Sequence, residues 1–441
     1  MLASKYFHEP AKARLLGDSR RRGTPDRPPV GFSAFRSCPF RIRSAPAACL
    51  VGFFPGRFSC RSPPEILLNV ARSARLLFGN TERVPDLTYA TGLFVPDEFA
   101  WFQTQAGKTR VLLGPLEIDR ARRTARVDAC LDLEEEKNRL GLARAPYPGI
   151  LAAILRNHGI RSAEIPSSFP VGLFRELQKA GIRLKPVSEP FFPGRLRKTG
   201  AEIRHIGRAL RAAEAGLQRA VEVLRASRIG PGQILRWDGS VLTSERLRIE
   251  MESACLRAGA IAKDTIVAGG TQACDPHERG SGPLRAHQAI ILDIFPRDPH
   301  TGYFGDITRT VVKGSPTEAL NHLHATVVQG QKRILRQIRP GLNGQKAQED
   351  LRDWFRCRGY PTEIRRGRWT GFFHGVGHGL GLEIHEAPRF AIPRLPAGCV
   401  LTVEPGLYIP GLGGVRIEDV VHLDGRRWRR LTRFPDVWRI R

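Results

Sequence analysis

Asp293, Asp306, His378, Glu404 and Glu418 lie in three short segments of the last third of this chain: ILDIFPRDPHTGYFGDITRT, HGVGHGLGLEIHE and LTVEPGLYIPGLGGVRIED. Each segment sets an acid or an imidazole among apolar, strand-forming residues, so burial is expected for all five. Four carboxylates gathered away from water would repel one another until they took up protons or the fold opened. Two divalent cations would balance them. An oxygen-rich set with one imidazole suits manganese, cobalt or iron(II) better than a structural zinc site, which favours thiolates. Two such ions about 3.5–4 Å apart can bridge a water, lower its pKa and polarise a carbonyl. Asp293 closes an aliphatic run and Asp306 opens the returning DITRTVV, so a hairpin would bring them within about 5 Å. The competing reading pairs either acid with Arg309 or makes it a turn cap.

The elements around these residues divide the chain in three. Residues 1–64 hold twelve Lys/Arg and three Asp/Glu, with many Pro, Ser and Gly. They are expected to be a basic leader without stable structure. Arg41 and Arg43 before the apolar run Ala45–Phe54 leave organelle or secretory targeting open, as does a functional basic arm. Residues 65–195 alternate strand-like and helical stretches and predict a small α/β domain. There LTYATGLFVPDEFAWFQTQAGKTRVLLG reads as two or three strands, YPGILAAILRNHGI as a helix, and the following stretch as strand, helix, strand. A Pro-rich link, SEPFFPGRLRKTG, leads into residues 196–441. Periodicity predicts helices over 201–227, 243–258, 317–338 and 344–357, with strand pairs carrying the acids between them. Helices outside a curved antiparallel sheet make the fold class α+β.

The acid-bearing segments resemble the signature blocks of the pita-bread metallopeptidases, the family of Xaa-Pro aminopeptidase, prolidase, methionine aminopeptidase and creatinase. The likeness is dense from about 200 to 425 and weaker from about 70 to 195. It implies a carboxy-terminal pita-bread domain behind a creatinase-like amino-terminal domain, with the ligands split between pseudo-duplicated halves. By the same resemblance Asp293 would hold one ion, His378 and Glu404 the other, and Asp306 and Glu418 would bridge. Glu404 would also carry a proton toward the leaving amine. His277, His374 and His385 would serve substrate or the tetrahedral intermediate, and Arg416 would orient the acidic ligands. For each of these four, a plain surface or core role is the alternative. Phe295-Pro296-Arg297-Asp298-Pro299-His300 departs from the family as a bulkier hairpin tip, expected to tolerate insertion.

The expected activity is removal of a residue preceding proline, as an Xaa-Pro aminopeptidase or dipeptidase with two divalent ions. Manganese is the expected metal, with cobalt, iron or zinc as alternatives. The X–Pro bond is a tertiary amide without N–H, which defeats peptidases that hydrogen-bond the scissile amide. The rivals are a methionine-aminopeptidase-like enzyme, a creatinase, and a pita-bread protein without catalysis that binds nucleic acid or protein. The net charge of +27 arises from arginine scattered through every segment, so a nucleic-acid partner is not expected. No apolar run is long enough for a membrane span. Eight cysteines without paired spacing favour free thiols and a cytoplasmic location. A peptide or dipeptide substrate and a homodimer or higher homo-oligomer complete the expectation. GVGHGLG lacks the acidic partner of a dinucleotide fingerprint, HEAPR lacks a zincin's second histidine, and AGGTQACDP lacks the Lys-Ser/Thr of a phosphate loop.

Overall fold

The computed structural model describes residues 73–441, Arg426 excepted. The basic leader, its apolar run and Cys38, Cys49 and Cys60 lie outside the described residues. The first lobe is a six-stranded sheet of β1 (Ala74–Gly79), β2 (Phe99–Gln103), β3 (Thr109–Leu113), β4 (Ala129–Asp132), β5 (Ser162–Pro166) and β6 (Arg183–Val187). Its spatial order is β4-β3-β2-β1-β5-β6. Helices α1 (Pro85–Thr91), α2 (Ile118–Thr124), α3 (Leu133–Arg139), α4 (Tyr147–Asn157) and α5 (Val171–Lys179) connect the strands. Two apolar clusters build this lobe, one around Leu76, Phe102 and Leu151, the other around Leu77, Trp101 and Phe191. The stretch from Leu87 to Gly114, read as two or three strands, holds two, β2 and β3. The strand-like LTYAT is the body of α1, because Pro85 sits at its first turn and Leu87 is wholly buried there.

The second part opens with α6 (Gly200–Ala226), started by a capping box. Thr199 Oγ1 accepts from the Glu202 amide at 3.3 Å, and the Glu202 carboxylate accepts from the Thr199 amide at 2.7 Å. Behind it come the small ribbon β7 (Arg228–Ile229), β8 (Leu235–Trp237) and β9 (Ser240–Val241), then α7 (Ser244–Arg257). β10 (Ile266–Gly269), β11 (Ile290–Ile294) and β12 (Ile307–Lys313) precede α8 (Glu318–Gln337) and α9 (Gly344–Cys357). The remaining strands are β13 (Glu363–Arg365), β14 (Arg368–Thr370), β15 (Val400–Val403), β16 (Gly406–Ile409), β17 (Gly413–Arg416), β18 (Asp419–Asp424), β19 (Arg427–Arg430) and β20 (Arg439–Ile440). The four long helices fall where their periodicity places them.

The inner layer is divided among short sheets, β10-β11-β12-β20, β15-β18-β19 and the hairpin β16-β17. Side chains and single main-chain bonds knit them. Thr310 Oγ1 donates to Arg416 O at 2.8 Å and accepts from the Arg416 amide at 3.0 Å, and the Glu418 amide donates to Thr308 O at 3.1 Å. All seven residues of β12 are buried, so both of its faces are covered. Gly305, just before Asp306, lets this strand touch α6, since a Cβ there would lie 2.6 Å from Ala209 backbone.

The bulky tip after Asp293 is pinned to its surroundings. The Arg297 guanidinium lies 5.8 Å from the Phe94 and Phe304 ring centres, and Asp298 accepts from the His300 amide at 2.8 Å and from Arg208 at 3.2 Å. Free insertion at this rim would break those contacts.

Candidate metal centre

The β11–β12 hairpin sets Asp293 opposite Thr308, two residues from Asp306 on the same strand face. Glu404 follows β15, and Glu418 bridges β17 and β18, while His378 lies on the irregular chain between Gly371 and Phe390. Gly377 holds that chain against β15: a Cβ there would sit 2.0 Å from Thr402 O. The His378 amide donates to Thr402 Oγ1 at 3.0 Å, and Thr402 Oγ1 donates to Glu404 Oε1 at 3.2 Å.

These placements bring all five residues to one cavity of about 760 Å³. His378 Nε2 lies 3.2 Å from Glu404 and 3.7 Å from Asp306. One ligand atom each from Asp306, His378 and Glu418 falls within 4.8 Å of the others. Arg416 NH2 donates to Asp293 Oδ2 at 2.7 Å, and the residue is buried rather than on the strand surface. Arg309, the alternative partner for the aspartates, instead donates to Asp419 at 2.9 Å.

The electrostatics of the group are unbalanced. Burial, then the charges of Glu418, Asp293 and Glu404, push the Asp306 carboxyl well above its ordinary range. Burial and the charges of Glu404 and Asp293 do the same to Glu418, although Thr308 Oγ1 donates to it at 2.8 Å. Glu404 goes the other way. Burial opposes its charge, but the His378 hydrogen bond, then His378, His374 and Arg416 charges, hold it at about 2. Asp293 Oδ1 is buried without a hydrogen-bond partner. An orphaned carboxylate oxygen beside two acids under mutual repulsion, with an imidazole nitrogen facing them, is a donor set that suits hard or borderline divalent cations.

The three further histidines also line this cavity. His374 Nε2 and Tyr408 OH are 2.9 Å apart, and the same hydroxyl accepts from Arg416 NH1 at 2.9 Å. Desolvation brings His374 and His385 down to about 4, so both are neutral at pH 7. The His385 ring stands edge-on to His378 with centres 4.3 Å apart. His277 is exposed on the wall, its amide 3.4 Å from Asp275.

Several contributors escaped the sequence reading. Thr308 and Thr310 were legible, since DITRT alternates and sets them on the face of Asp306. Tyr408 carried no signal beyond a buried-strand pattern. Gln331, in the polar run QGQKR, looks like helix surface. Its buried amide instead donates to Val403 O at 3.2 Å, Ile417 O at 3.3 Å and Asp419 at 3.2 Å, under the two strands that end in Glu404 and Glu418.

Comparison with known proteins adds to this geometry. The Xaa-Pro dipeptidase of Pyrococcus horikoshii is 32% identical over 281 residues, 62% of this chain and 74% of that one. That of Pyrococcus furiosus is 30% identical over 308 residues, 68% of this chain and 82% of that one. Among solved structures, the prolidase from Pyrococcus horikoshii OT3 superposes with a TM-score of 0.68 at 26% identity, covering 82% of this chain and 94% of that chain. The X-Pro aminopeptidase from Thermotoga maritima shares the fold, with a TM-score of 0.69 at 23% identity, 83% of this chain and 97% of that one. The architecture is the α+β pita-bread fold. Residues 204–424, half of the chain and all of the acids and histidines gathered at the cavity, match the model of metallopeptidase family M24, and the chain belongs to that family.

Proposed function

We propose that this chain is a metal-dependent exopeptidase that cleaves the bond between a first residue and proline, with dipeptides as its substrates. The convergence of Asp293, Asp306, His378, Glu404 and Glu418 on one cavity carries the reading. Asp293 would hold one divalent ion, His378 and Glu404 a second, and Asp306 and Glu418 would contact both. When bound, such a pair polarises the scissile carbonyl and acidifies a water. Glu404, kept ionised by His378, takes the proton of the attacking water and delivers it to the proline nitrogen, which leaves as a secondary amine. His385, uncharged, offers an N–H donor to the carbonyl oxygen as it gains charge, while His374, whose ring nitrogens are bonded to Gly375 O and Tyr408 OH, shapes the wall beside Glu404. Arg416 fixes Asp293 and, through Tyr408, the ring of His374. His277, exposed at the cavity, contacts substrate.

The preference for dipeptides rests on charge at the cavity. Of its three arginines, Arg416 holds Asp293 and Arg279 pairs with Asp264 at 3.3 Å. Arg389 has no ion pair among the described residues, which leaves it for the free carboxylate of a dipeptide. Arg389→Ala will raise KM for an Xaa-Pro dipeptide about 10–100-fold, the loss of roughly 1.5–3 kcal/mol for a charged hydrogen bond. An Xaa-Pro-Yaa tripeptide will show a smaller change, and initial rates over a substrate series check it.

The reading includes a boundary near residue 195 between an amino-terminal lobe and a catalytic domain, homo-oligomeric assembly and manganese as the metal. Free Cys130, Cys255, Cys274, Cys357 and Cys399 support a reducing, cytoplasmic setting. Among the described residues no helix is long and apolar enough to cross a membrane. The decisive experiment compares hydrolysis of an Xaa-Pro dipeptide and an Xaa-Pro-Yaa tripeptide with manganese added or chelated. Dipeptide turnover that chelation removes and manganese restores is expected. Inactivity on both peptides at every metal loading overturns the reading.

A further inference from the structure

The link between the two lobes carries two buried cations for which the reaction has no direct use. Arg195 and Lys198 have side chains 8% and 1% exposed. Arg195 NH1 donates to Asp86 of α1 at 2.9 Å, and its NH2 donates to Glu383 and Glu386, both at 2.7 Å. Lys198 Nζ donates to the other oxygen of Glu386 at 2.6 Å. Glu386 also accepts from the amides of Leu382 at 3.1 Å and Glu383 at 3.4 Å. Its own backbone pairs in both directions with Gly379, at 3.0 and 3.1 Å. One carboxylate therefore closes the loop 379–386, which follows His378 and carries His385. The carboxylate packs tightly against the loop's own backbone, since a Cβ on Gly381 would lie 2.5 Å from it. A second tie runs beside the first: the Lys198 amide donates to Gly398 O at 2.7 Å, just ahead of the strand that leads to Glu404.

A buried ion cluster adds little net stability over well-packed apolar residues, but it holds one arrangement where those would permit several. We infer that Arg195 and Lys198 are positioning residues: gripping Glu386 from the interlobe link, they set the loop that aims His378 and His385 into the cavity. The catalytic consequence rests on the peptidase reading, whereas the clamp itself can be observed without turnover. Asp86 supplies an internal comparison, because it belongs to the same cluster and reaches the loop only through Arg195.

The test uses the full chain as wild type, Arg195→Met, Lys198→Met and Asp86→Asn. Amide hydrogen exchange at Leu382 and Glu383 is expected to quicken about tenfold or more in both linker variants and to stay at the wild-type rate in Asp86→Asn. With saturating manganese, kcat on an Xaa-Pro dipeptide should fall about 10–100-fold in the linker variants, with a smaller change in KM, and hold in Asp86→Asn. Unchanged exchange in the linker variants overturns the clamp, whatever the activity. Quickened exchange with kcat intact overturns its role in catalysis. Asp86→Asn matching the linker variants in both readouts makes the cluster a purely structural core and also overturns the inference. If wild type turns over neither peptide while exchange still quickens, the peptidase reading falls and the clamp stands. Should Arg195→Met fail to fold, Lys198→Met alone carries the comparison.

Discussion

An Asp306→Ala protein, supplied with saturating manganese, will hydrolyse an Xaa-Pro dipeptide about 10³-fold more slowly than the parent. Asp306 is 4% exposed and shares its surroundings with Glu418, Asp293 and Glu404. On the proposed reading its carboxylate would be the shared contact that lets two cations sit side by side. Losing that arrangement removes several kcal/mol of charge stabilisation from the transition state, and each 1.36 kcal/mol is tenfold in rate. Metal content by atomic emission should drop in the same variant. Its metal-free form, however, should melt higher than the metal-free parent, because one member of a repelling set is gone. Intact turnover with unchanged metal content would show that the centre is not built from these residues.

Without metal the same repulsion makes stability depend on pH in a defined direction. Asp306 and Glu418 have folded-state pKa values raised above 3.8 and 4.5. Between those ordinary values and the raised ones the folded chain binds more protons than the unfolded chain, so stability falls as pH rises. Their contribution is fully present below the ordinary values and is lost as pH climbs through the folded ones. Glu404, held at about 2, contributes oppositely, with stability lost only as pH falls from 4.5 toward 2. His374 and His385, lowered to about 4, add stability as pH rises from about 4 to 6.5, and against that background the two acids should make the melting temperature of the metal-free protein fall with rising pH. An Asp306→Asn, Glu418→Gln double variant should lose most of that slope. Divalent metal should reverse the trend, adding about 4 kcal/mol at a thousandfold excess over Kd, and more at pH 7 than at pH 5 because ligation needs ionised carboxylates. Calorimetry with and without manganese decides this; an equal slope in parent and double variant would sink it.

The chemistry of this chain was legible where it depended on letter types set in strong local patterns. Asp293 and Asp306 could be joined because ILDIF and DITRTVV are unmistakable strands with a turn between them. The long helices could be drawn because Ile206, Leu210 and Leu217 recur on one face and are buried there. What stayed hidden depended on tertiary neighbours. LTYAT has the composition of a strand, and only the packing of Leu87 under the first sheet makes it helical. Gln331 acquires its function from strands more than seventy residues away in sequence. Arg195 and Lys198 read as two more basic letters in a basic protein, because nothing local announces that three acids will close around them. Arg416 was caught by its nearness to Glu418, yet its true partner is Asp293, on another strand.

The pairing of β20 with β12 bears on the order of events during synthesis. Arg439 and Ile440 lie parallel to Val312 and Lys313, and Ile440 is 1% exposed, so the sheet bearing the Asp293–Asp306 hairpin lacks its last strand until those residues are made. The amino-terminal sheet closes with partners all within residues 74–187 and can form early on the ribosome. Closure of the sheet that carries the Asp293–Asp306 hairpin thus waits for Arg439 and Ile440, long after the amino-terminal sheet has all of its partners.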